Sequence, residues 1–187
     1  MGKAVKTQPT SIPGLVVVET TPHIDNRGAF ARMYCDHELA SIIGLRRIVQ
    51  INHSRTVAIG AVRGMHYQHP PYAEMKLVRC LKGRVWDIAV DLRYDSPSFL
   101  QSYAEELTPA NSRMMVIPEG FAHGFQVLEQ ESELLYLHTA PYTPEAEGGL
   151  RHDDPSLAIN WPLAVTDLSA RDASHPLIDS NFSGIRL

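Results

Sequence analysis

Period-two alternation of apolar and polar residues dominates the middle of the chain. In GRVWDIAVDLR, residues 83–93, Trp86, Ile88, Val90 and Leu92 share one face while Asp87 and Asp91 point the other way, which predicts a half-buried strand. The same reading from Arg46 to Thr139 predicts strands in RIVQINHS, EMKLVRCL, SYAEEL and RMMVIP, and a hairpin in FQVLEQESELLYLHT, each set off by Gly, Pro or Asn. One early segment changes period: DHELASIIGL carries apolar residues at helical spacing, with Asp36 placed to cap the helix and Gly44 to end it. Many short antiparallel strands predict an all-β sandwich or barrel. The segment after Trp161 is less regular and is expected to pack across the outside or the mouth of that barrel.

Composition narrows the class. A chain of 187 residues suits one domain spanning 1–187, and no repeat, low-complexity run or linker divides it. With 44% hydrophobic and 20% charged residues it reads as a soluble globular protein. No apolar run approaches the roughly 20 residues of a membrane helix, and MGKAVKTQPTSIPG is too polar for a signal peptide, so no membrane partner and a cytoplasmic location are expected. A net charge of −4 with scattered arginines argues against a nucleic-acid partner, yet leaves several arginines free to converge on a small phosphorylated ligand. Cys35 and Cys80 lie far apart, outside any CxxC pattern, and are expected to be reduced thiols.

Chemistry is expected where polar groups recur on otherwise apolar strands. VRGMHYQHP carries His66 and is followed by Glu74 and Lys76; IPEGFAHGFQV carries Pro118, Gly120 and His123; ELLYLHTAPY puts Tyr136 and His138 on one face, with Tyr142 just beyond. The period-two neighbours of Lys76 are Val78 and Cys80, which is not the setting of a solvated surface charge. Gln50 and Asn52 likewise share a strand face. On the residues alone His66 stays open between a metal ligand, a proton-transfer group and a hydrogen-bonded core histidine.

Gly60, His66, Gly83, Pro118, Gly120 and His123 together resemble the two motifs of the cupin superfamily, a double-stranded β-helix or jelly roll, here with a few short peripheral helices. A metal-binding cupin resembles GxxxxxHxH followed by a Glu three or four residues later. In this chain the second ligand position is Gln68 and the Glu positions hold Tyr72 or Ala73. Glutamine is a poor ligand for the metals that imidazole suits, and Glu74 or His69 would need a register shift that turns the side chain to the other face. No metal site and no cofactor are expected.

From Gly14 to Pro176 the resemblance sharpens to the dTDP-4-dehydrorhamnose 3,5-epimerase family, in the blocks DNRGAF, VQINHS, VRGMHYQHPPYAEMKLVRCLKGRVWDIAVDLRYDSPSF, IPEGFAHGF, LLYLHTAPYTPEAEGG, DPSLAINWP and LSARD. This resemblance implies an epimerase that inverts C3 and/or C5 of a dTDP-4-keto-6-deoxyhexose in dTDP-L-rhamnose-type deoxysugar biosynthesis. Protons at those centres are α to the carbonyl, so a base can remove one to give an enolate and an acid across the ring can return it on the other face. The alternative is a C5-only or C3-only epimerase acting on a different nucleotide-linked keto sugar, in a secondary-metabolite or surface-polysaccharide pathway. A metal-dependent oxygenase is disfavoured by Gln68, and a silent sugar-nucleotide binder by the joint presence of His66, Asp172, Tyr136 and Lys76.

By the same resemblance His66 is the base, Asp172 its carboxylate partner, Tyr136 the acid, and Lys76 the cation that holds the developing oxyanion. Arg27, Phe30, Gln50, Asn52, Arg63, His123, Glu147 and Arg171 are implied substrate contacts, and Tyr142 stacks on the nucleotide base. Family members are homodimers whose N-terminal residues cross to the partner, and Leu15 to Val18 supply an apolar segment suited to such an exchange. One departure stands out: the family pattern places a Glu two residues after the Phe of DNRGAF, where this chain has Arg32, a donor-only guanidinium in place of an acceptor-only carboxylate.

Overall fold

Residues 5–187 are described in this computed structural model. In chain order the elements are β1 (Val5–Pro9), β2 (Val16–Thr20), β3 (His23–Asp25), β4 (Gly28–Phe30), α1 (Asp36–Ile43), β5 (Gln50–Thr56), β6 (Val62–Gln68), β7 (Lys76–Lys82), β8 (Val85–Asp91), β9 (Ser102–Leu107), β10 (Arg113–Ile117), β11 (Phe121–Val127), β12 (Ser132–His138), β13 (Glu147–Gly149) and α2 (Ala170–Ser174). A six-stranded sheet runs β1-β2-β10-β7-β12-β5 and a five-stranded sheet β13-β6-β11-β8-β9, with β3-β4 as a separate hairpin. All named strand pairs are antiparallel, and β5 pairs β12, β6 pairs β11, β7 pairs β10 and β8 pairs β9. That nesting of the two halves of the chain is the jelly-roll topology of a cupin-type all-β fold.

Nesting also corrects one expectation. FQVLEQESELLYLHT does not form a hairpin: β11 lies in the five-stranded sheet between β6 and β8, and β12 in the six-stranded sheet between β7 and β5. The intervening turn crosses between sheets, held by the Ser132 hydroxyl, which accepts from the Arg84 N–H at 3.0 Å, and by the Leu128 N–H donating to the Arg84 carbonyl at 2.9 Å. Alternation marks the strands but carries nothing about which sheet each one joins.

Three apolar layers bury the strands on both faces. Val17, Val78, Cys80, Ala89, Met115, Phe125 and Leu134 fill the space between the sheets. Helix α1 covers the outer face of the six-stranded sheet with Leu39 and Ile43 against Val18, Leu77, Val116 and Leu137. The C-terminal segment covers the outer face of the five-stranded sheet, where Leu157 and Ile185 meet Met65, Tyr67, Ile88, Val90 and Leu92. Each large apolar side chain so buried contributes roughly 1.5–3 kcal/mol. The expectation of a half-buried β8 is therefore corrected: Asp87 and Asp91 are both fully buried. Asp91 accepts from Arg93, Ser96 and Ser98, whose hydrogen bonds outweigh burial and hold its carboxyl down to about 2.

Two local readings are also revised. Asp36 does not cap α1: the N-cap is Cys35, without a side-chain bond, and Asp36 begins the helix with its carboxylate accepting from the Tyr34 hydroxyl at 3.0 Å. Gly44 does end it, at φ 64°. Leu15, Val17 and Val18 are not available for strand exchange in this chain, because β2 is paired on both sides within it and these residues are buried in its own core. Cys35 and Cys80 are free thiols, with burial pushing Cys80 up to about 11. No helix among the described residues is long and apolar enough to cross a membrane.

Candidate active site

A cavity of about 850 Å³ opens between the two sheets, with His66, Lys76, His123, Tyr136 and Asp172 on its walls. A bulge in β6 shapes it. His123 pairs with His66 and Phe125 with Arg63, so two residues of β6, Gly64 and Met65, stand opposite Gly124 alone. Arg63 and His66 are three apart and would point to opposite faces of a regular strand; the extra residue brings both into the cavity while Met65 stays in the outer core. Gly64 makes this possible, with φ +133° and a site where any Cβ would stand 2.5 Å from Gly124 Cα.

His66 Nε2 lies 2.8 Å from Asp172 Oδ1. The chain between them is guided into place: Gln126 clamps the backbone of Leu163, the Val62 N–H donates to the Asp167 carbonyl at 2.9 Å, and the Ser169 hydroxyl caps α2 by accepting from the Asp172 N–H at 3.0 Å. Burial alone would raise the Asp172 carboxyl, but the hydrogen bond and charge of His66 and the Gly64 N–H hold it far below the usual carboxylate range. With Nε2 donating to this carboxylate, Nδ1 of His66 keeps its lone pair for an incoming proton.

Tyr136 comes from β12, on the opposite sheet. Its ring stacks on His138 at 6.0 Å and meets His123 edge-on at 5.9 Å. Burial, reinforced by the nearby Asp87 charge, pushes its phenol well above the ordinary value, so the proton stays on oxygen until a strong base develops beside it. Lys76, beside it on β7, donates to the His66 carbonyl at 3.2 Å and lies 3.3 Å from Glu74. Glu74 also meets His138 Nδ1 at 2.6 Å; burial would raise this carboxyl, but His138 and Lys76 together lower it. His123 Nε2 lies 2.8 Å from the wholly buried Asp87, which fixes its ring.

The rim carries the remaining polar groups. Tyr142, half exposed, donates its hydroxyl to Glu147 at 2.9 Å and its N–H to Gln50 at 3.0 Å. Arg171 grips both Glu147 oxygens, at 3.0 and 3.1 Å, with its other terminal nitrogen 3.3 Å from His66 Nε2. Arg63 donates to the Thr56 hydroxyl at 2.9 Å, and Asn52 approaches His138 Nε2 at 3.4 Å. Eleven of the thirteen expected site residues thus line one cavity. Arg27 and Phe30 do not: Arg27 folds onto Asp25 at 2.6 Å and Phe30 is 74% exposed on the β3–β4 hairpin. Arg32 also lies outside, paired with Glu38 at 2.5 Å.

Asp87, Glu74 and His138 have no role implied by the resemblance, although Glu74 and His138 lie in the segments where chemistry is expected. Each carried a period-two signal: Asp87 sits between Val85 and Ala89 on the face that turns inward, Glu74 is two residues before Lys76, and His138 two after Tyr136. At the cupin metal positions, Gln68 is tied to the loop backbone at Tyr72, Pro141 and Thr143, and His123 to Asp87, which does not fit a metal held by those residues. A separate set, His66, Asp172 and His175, brings three donor atoms within 4.8 Å of one another.

Fold and site together define a jelly-roll protein equipped to move protons across a cavity between its sheets. The profile of the family described as dTDP-4-dehydrorhamnose 3,5-epimerase matches residues 9–180. The dTDP-4-dehydrorhamnose 3,5-epimerase of Salmonella typhimurium is 41% identical over 172 residues, covering 91% of this chain and 93% of that one. A crystal structure of the dTDP-6-deoxy-D-glucose-3,5-epimerase of Legionella pneumophila, in complex with dTDP-4-keto-L-rhamnose, matches with a TM-score of 0.90 at 37% identity over 97% of this chain and 98% of that one. A 3'-monoepimerase from Streptomyces bikiniensis, in complex with dTDP-quinovose, matches with a TM-score of 0.84 at 28% identity over 90% of this chain and 86% of that one. The chain belongs to the dTDP-4-dehydrorhamnose 3,5-epimerase family of carbohydrate isomerases.

Proposed function

We propose that the chain inverts C3 and C5 of a dTDP-4-keto-6-deoxyhexose in deoxysugar biosynthesis, in the cytoplasm and as one catalytic domain. The observation that carries this reading is the placement of His66 and Tyr136 on opposite sheets across one cavity. Inversion needs a proton removed from one face of the ring and another delivered to the opposite face. His66 Nδ1 takes the proton α to the carbonyl, Asp172 stabilises the imidazolium through Nε2, and electron density moves onto the C4 oxygen. Lys76 and His123 stabilise that oxygen, and Tyr136 protonates the carbon from the other side. Arg63 and Arg171 face the diphosphate, Tyr142 stacks on the base, and Gln50, Asn52 and Glu147 orient the nucleoside and sugar.

Proton NMR of dTDP-4-keto-6-deoxyglucose incubated with the protein in D2O tests this reading, because it reports C3 and C5 separately. The expected result is deuterium at both centres and a product with the L-rhamno configuration. Exchange and inversion at C3 alone would place the chain with the monoepimerases, and no exchange at either centre would overturn the reading.

Arg27 and Phe30 reach substrate in this reading only from a second copy. The β3–β4 hairpin that carries them stands out from the chain, and exposed Ile24, Phe30, Leu45, Val49 and Ile51 supply apolar surface near it in sequence. We therefore propose a homodimer in which each hairpin crosses to the partner. Sedimentation velocity at micromolar concentration is expected to show a single species of twice the 20.8 kDa chain mass. A monomer would exclude the dimer and leave Arg27 and Phe30 without a substrate role.

A further inference from the structure

We propose that His66, Asp172 and His175 form a binding site for a divalent transition-metal ion, and that the ion switches the catalyst off. One nitrogen of each imidazole and one Asp172 oxygen lie within 4.8 Å of one another. Two imidazoles and a carboxylate are a donor set that suits Zn²⁺, Co²⁺ and Fe²⁺. At metal–ligand distances of about 2.0–2.1 Å, tetrahedral donors stand roughly 3.3 Å apart, so His175 must move closer while the His66–Asp172 pair, at 2.8 Å, opens slightly. His175 can supply that movement: it follows the last residue of α2, in extended backbone at the start of the C-terminal stretch.

His175 has no part in the proton-transfer chemistry, and its environment marks it as available. Its Nε2 is buried with no hydrogen-bond partner among the described residues. Its ring fits over Gly149, where any Cβ would stand 2.2 Å from Nε2, and Gly149 is the residue paired with His66 across β13 and β6. The missing side chain at Gly149 thus makes the room that places a second imidazole edge-on to His66, at 6.1 Å between ring centroids. The opposing group is Arg171, whose terminal nitrogen lies 3.3 Å from His66 Nε2. An ion must displace this guanidinium, which Glu147 already holds by both oxygens on the far side. That competition lowers the affinity of the site for the ion.

The mode of inhibition follows from the tautomer. A metal on Nε2 takes the lone pair that the Nε2 proton vacates, and the neutral imidazole then carries its one proton on Nδ1. Nδ1, the nitrogen proposed to take the substrate proton, can then no longer accept one. This half of the proposal rests on His66 as the base; the binding half does not.

Chelator-treated protein is titrated with CoCl2 and followed by visible absorption. A saturable spectrum at one equivalent per chain is expected for the wild type and for His123→Asn, with His175→Asn and His175→Ala weakened by about ten- to a hundredfold or more. Near-UV circular dichroism confirms that both His175 variants are folded. In turnover assays Zn²⁺ is expected to inhibit the wild type, EDTA to reverse it, and His175→Asn to keep working in the same Zn²⁺. No saturable cobalt spectrum, or one that is the same in wild type and both His175 variants, overturns the site. A His175-dependent spectrum with no loss of turnover upholds the site and overturns His66 as the base.

Discussion

With His66 replaced by Asn, the protein is expected to release neither the C3 nor the C5 proton to solvent and to invert neither centre, while dTDP still binds. Asparagine keeps a donor toward Asp172 and about the same place on β6, so the cavity wall survives and only the proton acceptor is lost. A general base contributes typically about 10²–10⁴-fold, and the imidazoles flanking Tyr136 in the cavity are engaged elsewhere: His123 is bound to Asp87 and His138 to Glu74. Tyr136→Phe is expected to behave differently. Its base remains, so deuterium from D2O enters at C3 and C5, but the imidazolium returns it to the face it came from and net inversion falls by a similar factor. The two variants are compared by proton NMR in D2O alongside dTDP titration. A His66→Asn protein that exchanges at near wild-type rate would remove His66 from the role of base.

The sequence made the strand positions and most of the cavity legible, for a physical reason. A strand inside a jelly roll repeats every two residues whatever its partners, so SYAEEL could be placed as Ser102–Leu107, and Lys76 read as inward-facing from Val78 and Cys80. What the period could not show was the medium on each side. Asp87 and Asp91 alternate with apolar residues as solvent-facing acids would, yet the inward face of β8 looks onto a cavity wall and the outer face onto a third apolar layer. The bulge at Gly64 was equally hidden, because counting by two from His66 puts Arg63 on the wrong face. Glu74 and His138 shared a face with Lys76 and Tyr136, but their pairing depends on β7 and β12 being neighbours, which is a property of topology. The contact between His66 and Asp172 spans 106 residues and could be carried only by family resemblance.

Asp172→Asn is expected to lower kcat/KM by about 10²–10⁴-fold and to move the acid limb of its pH profile to lower pH. The carboxylate stabilises the protonated imidazole through Nε2, and an amide of the same shape accepts the hydrogen bond without the charge. Protonated enzyme then becomes less favourable, and activity persists to more acidic pH at a much lower plateau. Stability should change with the opposite pH emphasis. In the folded chain Asp172 is held far below its unfolded value of about 3.9, against the effect of burial, by His66 and the Gly64 N–H. Its contribution is therefore complete above that unfolded value and is lost as pH falls through the lower folded one. Thermal melts of wild type and Asp172→Asn are expected to differ most at neutral pH, with the gap closing on acidification below about pH 4. A variant with unchanged acid limb and a rate within a few-fold of wild type would show that Asp172 does not act through His66, and that the contact at 2.8 Å serves only to anchor α2.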